Sequence, residues 1–139
     1  MSQYGSASTE RLKTCNPNIQ KVMYEVINCL PWTDPQSGIT IEDCTIVEGH
    51  RNEFRQNYLY DTHKSLARWP DSNHNALPSN AVDSMPYHAD KPHIHWGARD
   101  EMEAFSRLVL SVATALEINL AWGGHWQSFF DGPHYEEIL

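Results

Sequence analysis

The chain has 139 residues, of which 40% are hydrophobic and 20% charged, a composition typical of one folded domain. Its formal net charge of −8 argues against nucleic-acid binding, which requires a basic face. No apolar run approaches the roughly 20 residues that span a bilayer, and the first residues lack the basic and apolar pattern of a secretory signal peptide. We therefore expect no nucleic-acid partner, no membrane insertion and no signal peptide.

The first half of the chain predicts two helices and one strand. Residues 1–15 are polar and are expected to form a loosely held N-terminal tail, which places the domain at residues 16–139. A helix should begin at Asn16-Pro17, a favourable N-cap followed by proline in the first turn, and continue to about residue 30. β-Branched residues predict a strand over residues 39–47, and a short helix is expected over residues 52–62.

The second half contains the most periodic helix. From Asp100 onward, apolar residues recur at three- and four-residue steps and form one continuous face. Short strands are predicted over residues 81–85, 118–122 and 134–139, and Gly123-Gly124 is expected to be a tight turn. These strands are too short and irregular for a doubly wound sheet, so the pattern predicts a single α+β domain.

Two separated stretches contain residue types that can bind metal ions. The first places His74 in a loop and Asp83 beside a short apolar run, and imidazole nitrogen with carboxylate oxygen suits zinc. The second is Asp131-Gly-Pro-His134, in which His134 would be a third ligand and Asp131 a carboxylate that takes a proton from water. Taken alone, Asp-Gly-Pro also fits an ordinary turn.

Three motifs occur in the order found in one protein family. They are Gly49-His-Arg51 with Gln56-Asn-Tyr-Leu-Tyr60, then His74 to Asp83, then Trp122-Gly-Gly-His-Trp126 with Phe129, Asp131 and Pro133-His134. From about Cys44 onward the chain resembles the zinc D-alanyl-D-alanine carboxypeptidase and L-alanyl-D-glutamate endopeptidase family, whose phage members are endolysins. The resemblance implies a single compact α+β domain of the zinc DD-peptidase (hedgehog-like) type, with a small antiparallel sheet and flanking helices.

The resemblance also implies roles for individual residues. His74, Asp83 and His134 would bind Zn²⁺ and leave a fourth position for water. Asp131 would be the general base, and Arg51 would stabilise the oxyanion formed when a peptide carbonyl is attacked. Supporting hydrogen bonds would come from two polar residues of the same motifs, Ser72 and Gln56.

The implied activity is zinc-dependent hydrolysis of an amide bond in the peptide stem of bacterial peptidoglycan, of the L-alanyl-D-glutamate endopeptidase or D-alanyl-D-alanine carboxypeptidase type. The protein would be made in the host cytoplasm and reach the wall through a separately formed membrane hole, or be carried in a phage virion beside virion proteins. One alternative is a non-catalytic virion structural or binding module that retains the fold. Another is a zinc dipeptidase or amidase that acts on small soluble peptides.

Several polar residues have two interpretations. His125 stands where many relatives have Asp, and residues 87–96 are rich in histidine. Ordinary loop histidines are the expectation, and the alternative is a second metal site among His88, His93, His95 and His125. Glu136 and Glu137 are expected to be solvated strand charges, and either would be an alternative base if Asp131 points away.

Overall fold

The computed structural model describes residues 2–139, and within them the chain forms four helices, a small antiparallel sheet and a separate pair of short strands. The helices are α1 (Ser6–Leu12), α2 (Pro17–Asn28), α3 (Glu53–Asp61) and α4 (Arg99–Ala115). The strands are β1 (Trp32–Thr33), β2 (Thr40–Ile41), β3 (Cys44–Glu48), β4 (Ala81–Pro86), β5 (Leu120–Trp122) and β6 (His134–Glu137). Two 3₁₀ turns add Asn73–Asn75 and Gly123–His125. The predicted single α+β domain is confirmed.

The main sheet has the strand order β3-β4-β6-β5, and every neighbouring pair is antiparallel. The pairing of β4 with β6 sets Asp83 directly opposite His134. β1 and β2 form a separate two-stranded pair. The two central strands of the main sheet therefore bring together two residues that lie far apart in the sequence.

The core lies between the sheet and the two longest helices. α2 and α4 pack against each other, and α4 also lies against β4 and β5. Ile19, Val22 and Val26 of α2 are fully buried, as the helical spacing predicts. Each such side chain contributes about 1.5–3 kcal/mol when it leaves water. The core therefore supports β4 and β6, the strands that contain Asp83 and His134.

The prediction of a loosely held N-terminal tail is wrong for residues 6–15. They include α1, and Leu12 and Cys15 are buried. Ser8 Oγ lies 2.9 Å from Thr45 Oγ1 and accepts the backbone N–H of Ile46 at 3.0 Å, so polar contacts fasten α1 to β3. Such contacts leave no apolar stripe in the sequence, which is why the periodicity did not indicate this helix.

Three further boundaries differ from prediction. The strand expected over residues 39–47 is interrupted, because β2 pairs with β1 whereas β3 joins the main sheet. β5 begins at Leu120 rather than at residue 118, and the last strand ends at Glu137 rather than at residue 139. Gly123-Gly124 lies in a 3₁₀ turn, which agrees with the expected tight turn. Among the helices that the structure describes, none has the length and apolar character needed to cross a membrane.

Candidate metal centre

Three side chains predicted as metal ligands meet at one point. His74 Nε2 lies 3.2 Å from Asp83 Oδ1 and 3.2 Å from His134 Nδ1. The third separation, between His134 Nδ1 and Asp83 Oδ1, is 3.4 Å. Ligand atoms around a tetrahedral zinc ion with bonds of about 2.0–2.1 Å stand about 3.3 Å apart. The triad therefore has the spacing that one zinc ion requires.

The backbone around the triad explains this convergence. Asp83 and His134 are direct cross-strand partners, whose side chains share one face of the sheet. His74 lies in the 3₁₀ turn Asn73–Asn75, and its backbone N–H donates to Ser72 Oγ at 3.2 Å. Asn75 Oδ1 accepts the backbone N–H of Ser72 at 3.0 Å and completes a capping box. Ser72 thus positions His74 through the backbone.

Hydrogen bonds on the outer sides of the two rings select the nitrogen that faces the centre. His74 Nδ1 donates to the carbonyl oxygen of Gly49 at 2.7 Å, so neutral His74 presents an unprotonated Nε2. His134 Nε2 donates to Glu136 Oε1 at 2.7 Å, so the neutral His134 ring presents the lone pair of its Nδ1. Together with the Asp83 carboxylate, three electron-rich atoms converge. This arrangement is unfavourable without a cation or a proton between them, and the donor set fits zinc.

The charges of the buried triad depend strongly on one another. Burial acts to raise the pKa of the Asp83 carboxyl, but the adjacent His74 and His134 imidazoles outweigh it and hold that pKa well below its usual range. Burial acts to lower the pKa of His134, but hydrogen bonds to Asp83 and Glu136 dominate and raise it to about 9. A proton and a metal ion therefore compete for the same position.

Arg51 contacts Oδ2 of Asp83, the carboxylate oxygen that does not face the two histidines. Arg51 Nη2 donates to Asp83 Oδ2 at 3.1 Å, Nη1 donates to Gln56 Oε1 at 3.3 Å, and Nε donates to Glu48. Within residues 2–139, these bonds leave two of the five guanidinium N–H donors uncommitted. Arg51 also lines the cleft beside the triad. It can hold Asp83 and still donate to a group in the cleft.

Asp131 lines the same cleft as Arg51, His74 and His134. Its backbone N–H donates to the carbonyl oxygen of Gly123 at 3.1 Å, and a Cβ at position 123 would collide with the Asp131 carbonyl oxygen. Residue 123 must therefore be glycine for the backbone of Asp131 to approach this closely. Burial raises the pKa of the Asp131 carboxyl, and the neighbouring Asp83 carboxylate raises it further. A higher pKa makes a carboxylate a stronger base near neutral pH.

The expectation that Glu136 and Glu137 are solvated charges is wrong. Glu136 is half-buried and accepts hydrogen bonds from His134 Nε2 and from Asn73 Nδ2, both at 2.7 Å. The Glu137 carboxylate accepts from the side-chain amides of Asn16 and Asn18, at 2.8 and 2.7 Å. The period of two along β6 places Glu136 on the same face as His134, and this was the signal that could have revealed it.

The four remaining histidines of interest separate into two groups. His88 and His95 stack on each other, with ring centroids 3.8 Å apart, beside the Glu101 carboxylate. His93 instead stacks on Tyr87, and His125 lies edge-on to Trp122. Within the described residues, the structure brings neither His93 nor His125 into a group of three potential metal ligands.

Comparison with known proteins identifies the family and the fold of the chain. The sequence model of the family described as phage L-alanyl-D-glutamate peptidase matches residues 1–138. The crystal structure of the Serratia marcescens L-Ala D-Glu endopeptidase ChiX is similar in fold, with a TM-score of 0.74 and 24% sequence identity. That match covers 98% of this chain and 90% of the Serratia chain. No curated protein sequence matches significantly. The chain belongs to the phage L-alanyl-D-glutamate peptidase family.

Proposed function

We propose that the protein is a zinc-dependent endopeptidase that cleaves the L-alanyl-D-glutamate bond in the peptide stem of bacterial peptidoglycan. Family membership supports the choice of bond. The observation that carries the zinc dependence is the convergence of His74 Nε2, Asp83 Oδ1 and His134 Nδ1 at separations of 3.2–3.4 Å. The hydrogen bonds behind both rings leave Nε2 of His74 and Nδ1 of His134 facing that centre, where they can bind a metal ion when unprotonated.

The triad would hold the zinc ion and leave a position open toward the cleft. When bound, zinc supplies a Lewis acid and lowers the pKa of a water molecule to about 7. Asp83 brings a negative charge to the ligand set, and Arg51 fixes the orientation of its carboxylate through the 3.1 Å bond to Oδ2. Glu136 does the same for the His134 ring.

Asp131 and Arg51 would act on the reacting atoms. Asp131 takes a proton from water as the water oxygen attacks the carbonyl carbon, and it then delivers this proton to the departing amine nitrogen. The amide C–N bond breaks, leaving one carboxylate and one amine. The remaining guanidinium donors of Arg51 would stabilise the negative charge that develops on the carbonyl oxygen. Both side chains line the cleft in which the peptide would lie.

The cleft wall offers a complement to an acidic peptide. Lys64 lines the cleft together with Trp126 and Phe129. The ammonium group of Lys64 suits the carboxylate of a D-glutamyl residue, and the two aromatic rings suit the apolar part of the stem. These cleft residues and the family membership support a wall peptide as the substrate, which the enzyme would meet after release from the host cytoplasm or from a phage virion.

Mass spectrometry of fragments released from purified peptidoglycan tests this function. The zinc-loaded protein should release stem peptides that begin with D-glutamate, and removal of zinc by a chelator should abolish their release. Release of terminal D-alanine alone would identify a carboxypeptidase instead. If the zinc-loaded protein released no peptide or amino acid from the wall, the proposed peptidoglycan endopeptidase would be overturned.

A further inference from the structure

A second group of potential metal ligands lies between β4 and α4, among residues that do not line the cleft. We propose that His88, His95 and Glu101 form a second zinc site, which fastens the loop of residues 87–98 to the start of α4. His88 follows the end of β4, His95 lies within the loop, and Glu101 is in the first turn of α4. This proposal is independent of the peptidase activity.

The donor atoms of the three residues converge. His88 Nε2 lies 2.8 Å from Glu101 Oε2 and 3.0 Å from Oε1. One donor atom from each of His88, His95 and Glu101 lies within 4.8 Å of the other two. Rotation of the two imidazoles would allow bonds of about 2 Å to one ion, which would replace the His88–Glu101 hydrogen bond.

The two imidazoles lie next to each other, with ring centroids 3.8 Å apart and planes within 11° of parallel. An imidazole binds a metal ion in the plane of its ring, so two parallel rings cannot both bind one ion. Metal binding would therefore turn the rings of His88 and His95 out of this stack while keeping them beside the Glu101 carboxylate.

The donor set selects the class of metal. Two imidazoles and one carboxylate form a set that zinc accepts, with a fourth position for water. Calcium and magnesium prefer sites built from oxygen ligands. The loop is already attached at two places, because Tyr87 N donates to Asp43 O at 2.9 Å and Ile94 packs against the hydrophobic core. A metal bridge from residue 88 to residue 101 would add a third attachment, to the start of α4.

His93 offers a matched control within the same loop. Its ring stacks on Tyr87 with centroids 5.0 Å apart, and its Nδ1 donates to the carbonyl oxygen of His88 at 2.8 Å. It is absent from the groups of three potential ligands found within residues 2–139. Replacement of His93 removes an imidazole from the loop without removing a ligand from the proposed site.

Zinc counting on the full, untagged chain tests the proposal. The protein is stripped with a chelator, equilibrated with zinc alone and freed of unbound metal, and bound zinc is measured by atomic emission. We expect about two ions per chain for the wild type and for His93→Ala, and about one for His95→Ala and Glu101→Gln. His134→Ala should also hold about one, and zinc should still raise its melting temperature. Circular dichroism verifies that each variant is folded.

The outcomes separate this site from the proposed catalytic one. A zinc count that falls with His95→Ala but not with His134→Ala would support the second site and contradict the triad. A wild-type count of about one that His95→Ala leaves unchanged would overturn the second site. Peptidoglycan hydrolysis should persist in His95→Ala, because the three proposed ligands lie outside the cleft lining.

Discussion

Glu136 lies directly behind His134, with its Oε1 atom 2.7 Å from the ring nitrogen that faces away from His74 and Asp83. The carboxylate fixes the ring orientation and increases the basicity of the inward-facing Nδ1. We expect Glu136→Gln to weaken zinc binding at the triad by about 10–100-fold, which is the usual effect of losing such a partner. Competition with a chelating dye measures the affinity.

Glu137 provides the control for this substitution, because it is the next residue on the same strand but bonds to Asn16 and Asn18 rather than to a triad residue. Glu137→Gln should leave zinc affinity unchanged. Equal zinc affinities for the wild type and Glu136→Gln would show that the Glu136 carboxylate does not support the metal centre.

Gln56 connects Arg51 to the loop that follows α3. It is fully buried, its Nε2 donates to Ser65 Oγ at 3.0 Å and to Ala67 O at 2.6 Å, and its Oε1 accepts from Arg51 Nη1 and Asn75 Nδ2. Gln56→Leu leaves these buried partners unpaired. We expect a loss of about 1–3 kcal/mol in the free energy of unfolding, together with a lower kcat/KM because Arg51 loses one support.

Urea denaturation measures the stability effect, and Gln36→Leu is the matched control because Gln36 is exposed. That variant should remain within about 0.5 kcal/mol of the wild type. An unfolding free energy for Gln56→Leu equal to that of the control would mean that the buried amide contributes nothing.

The ion pair between Asp34 and Arg107 leads to a prediction of how the free energy of unfolding depends on pH. The fully buried Asp34 carboxylate accepts from Arg107 Nη2 at 2.6 Å and Nε at 3.0 Å, and these bonds hold the Asp34 pKa below its ordinary value of 3.8. Because the folded-state pKa is depressed, this stabilisation is present above pH 3.8 and is lost as the pH falls below it. Asp34→Asn should therefore be less stable than the wild type at neutral pH, and the difference should shrink in acid.

Thermal melts of the wild type and Asp34→Asn at several pH values between neutral pH and pH 3 measure this difference in stability. Asp61→Asn is the control, since the Asp61–Arg68 pair is mostly exposed, at 62% for both side chains, and exposed pairs contribute little. A gap between Asp34→Asn and the wild type that stays constant down to pH 3 would contradict the assignment of the stabilisation to this carboxylate.

The sequence predicted the elements whose apolar residues recur regularly. α2 and α4 appear close to their expected positions because their buried faces follow the helical period. α1 was missed because its attachment relies on Ser8 and Arg11, whose bonds to β3 leave no periodic pattern. A periodic pattern in the sequence indicates which face of a helix is buried. Polar contacts between segments that are distant in the sequence become visible only in the folded structure.

The same distinction applies to the site. The motifs named His74, Asp83 and His134 through a resemblance, but their convergence depends on the register that sets Asp83 opposite His134. The bond from Arg51 to Asp83 and the bond from His134 to Glu136 each required the folded arrangement. Residue types could be predicted from the sequence, and their hydrogen-bond partners could not.

The most direct test of the central claim compares Asp131→Asn with His134→Ala, measuring bound zinc and release of peptides from peptidoglycan on the same samples. We expect Asp131→Asn to keep the wild-type zinc content and to lose about 10²–10⁴-fold in hydrolysis, because it removes only the proton acceptor. His134→Ala should lose one zinc ion and the hydrolysis together. Wild-type hydrolysis in Asp131→Asn, or full zinc content and activity in His134→Ala, would contradict a peptidase built on this metal centre.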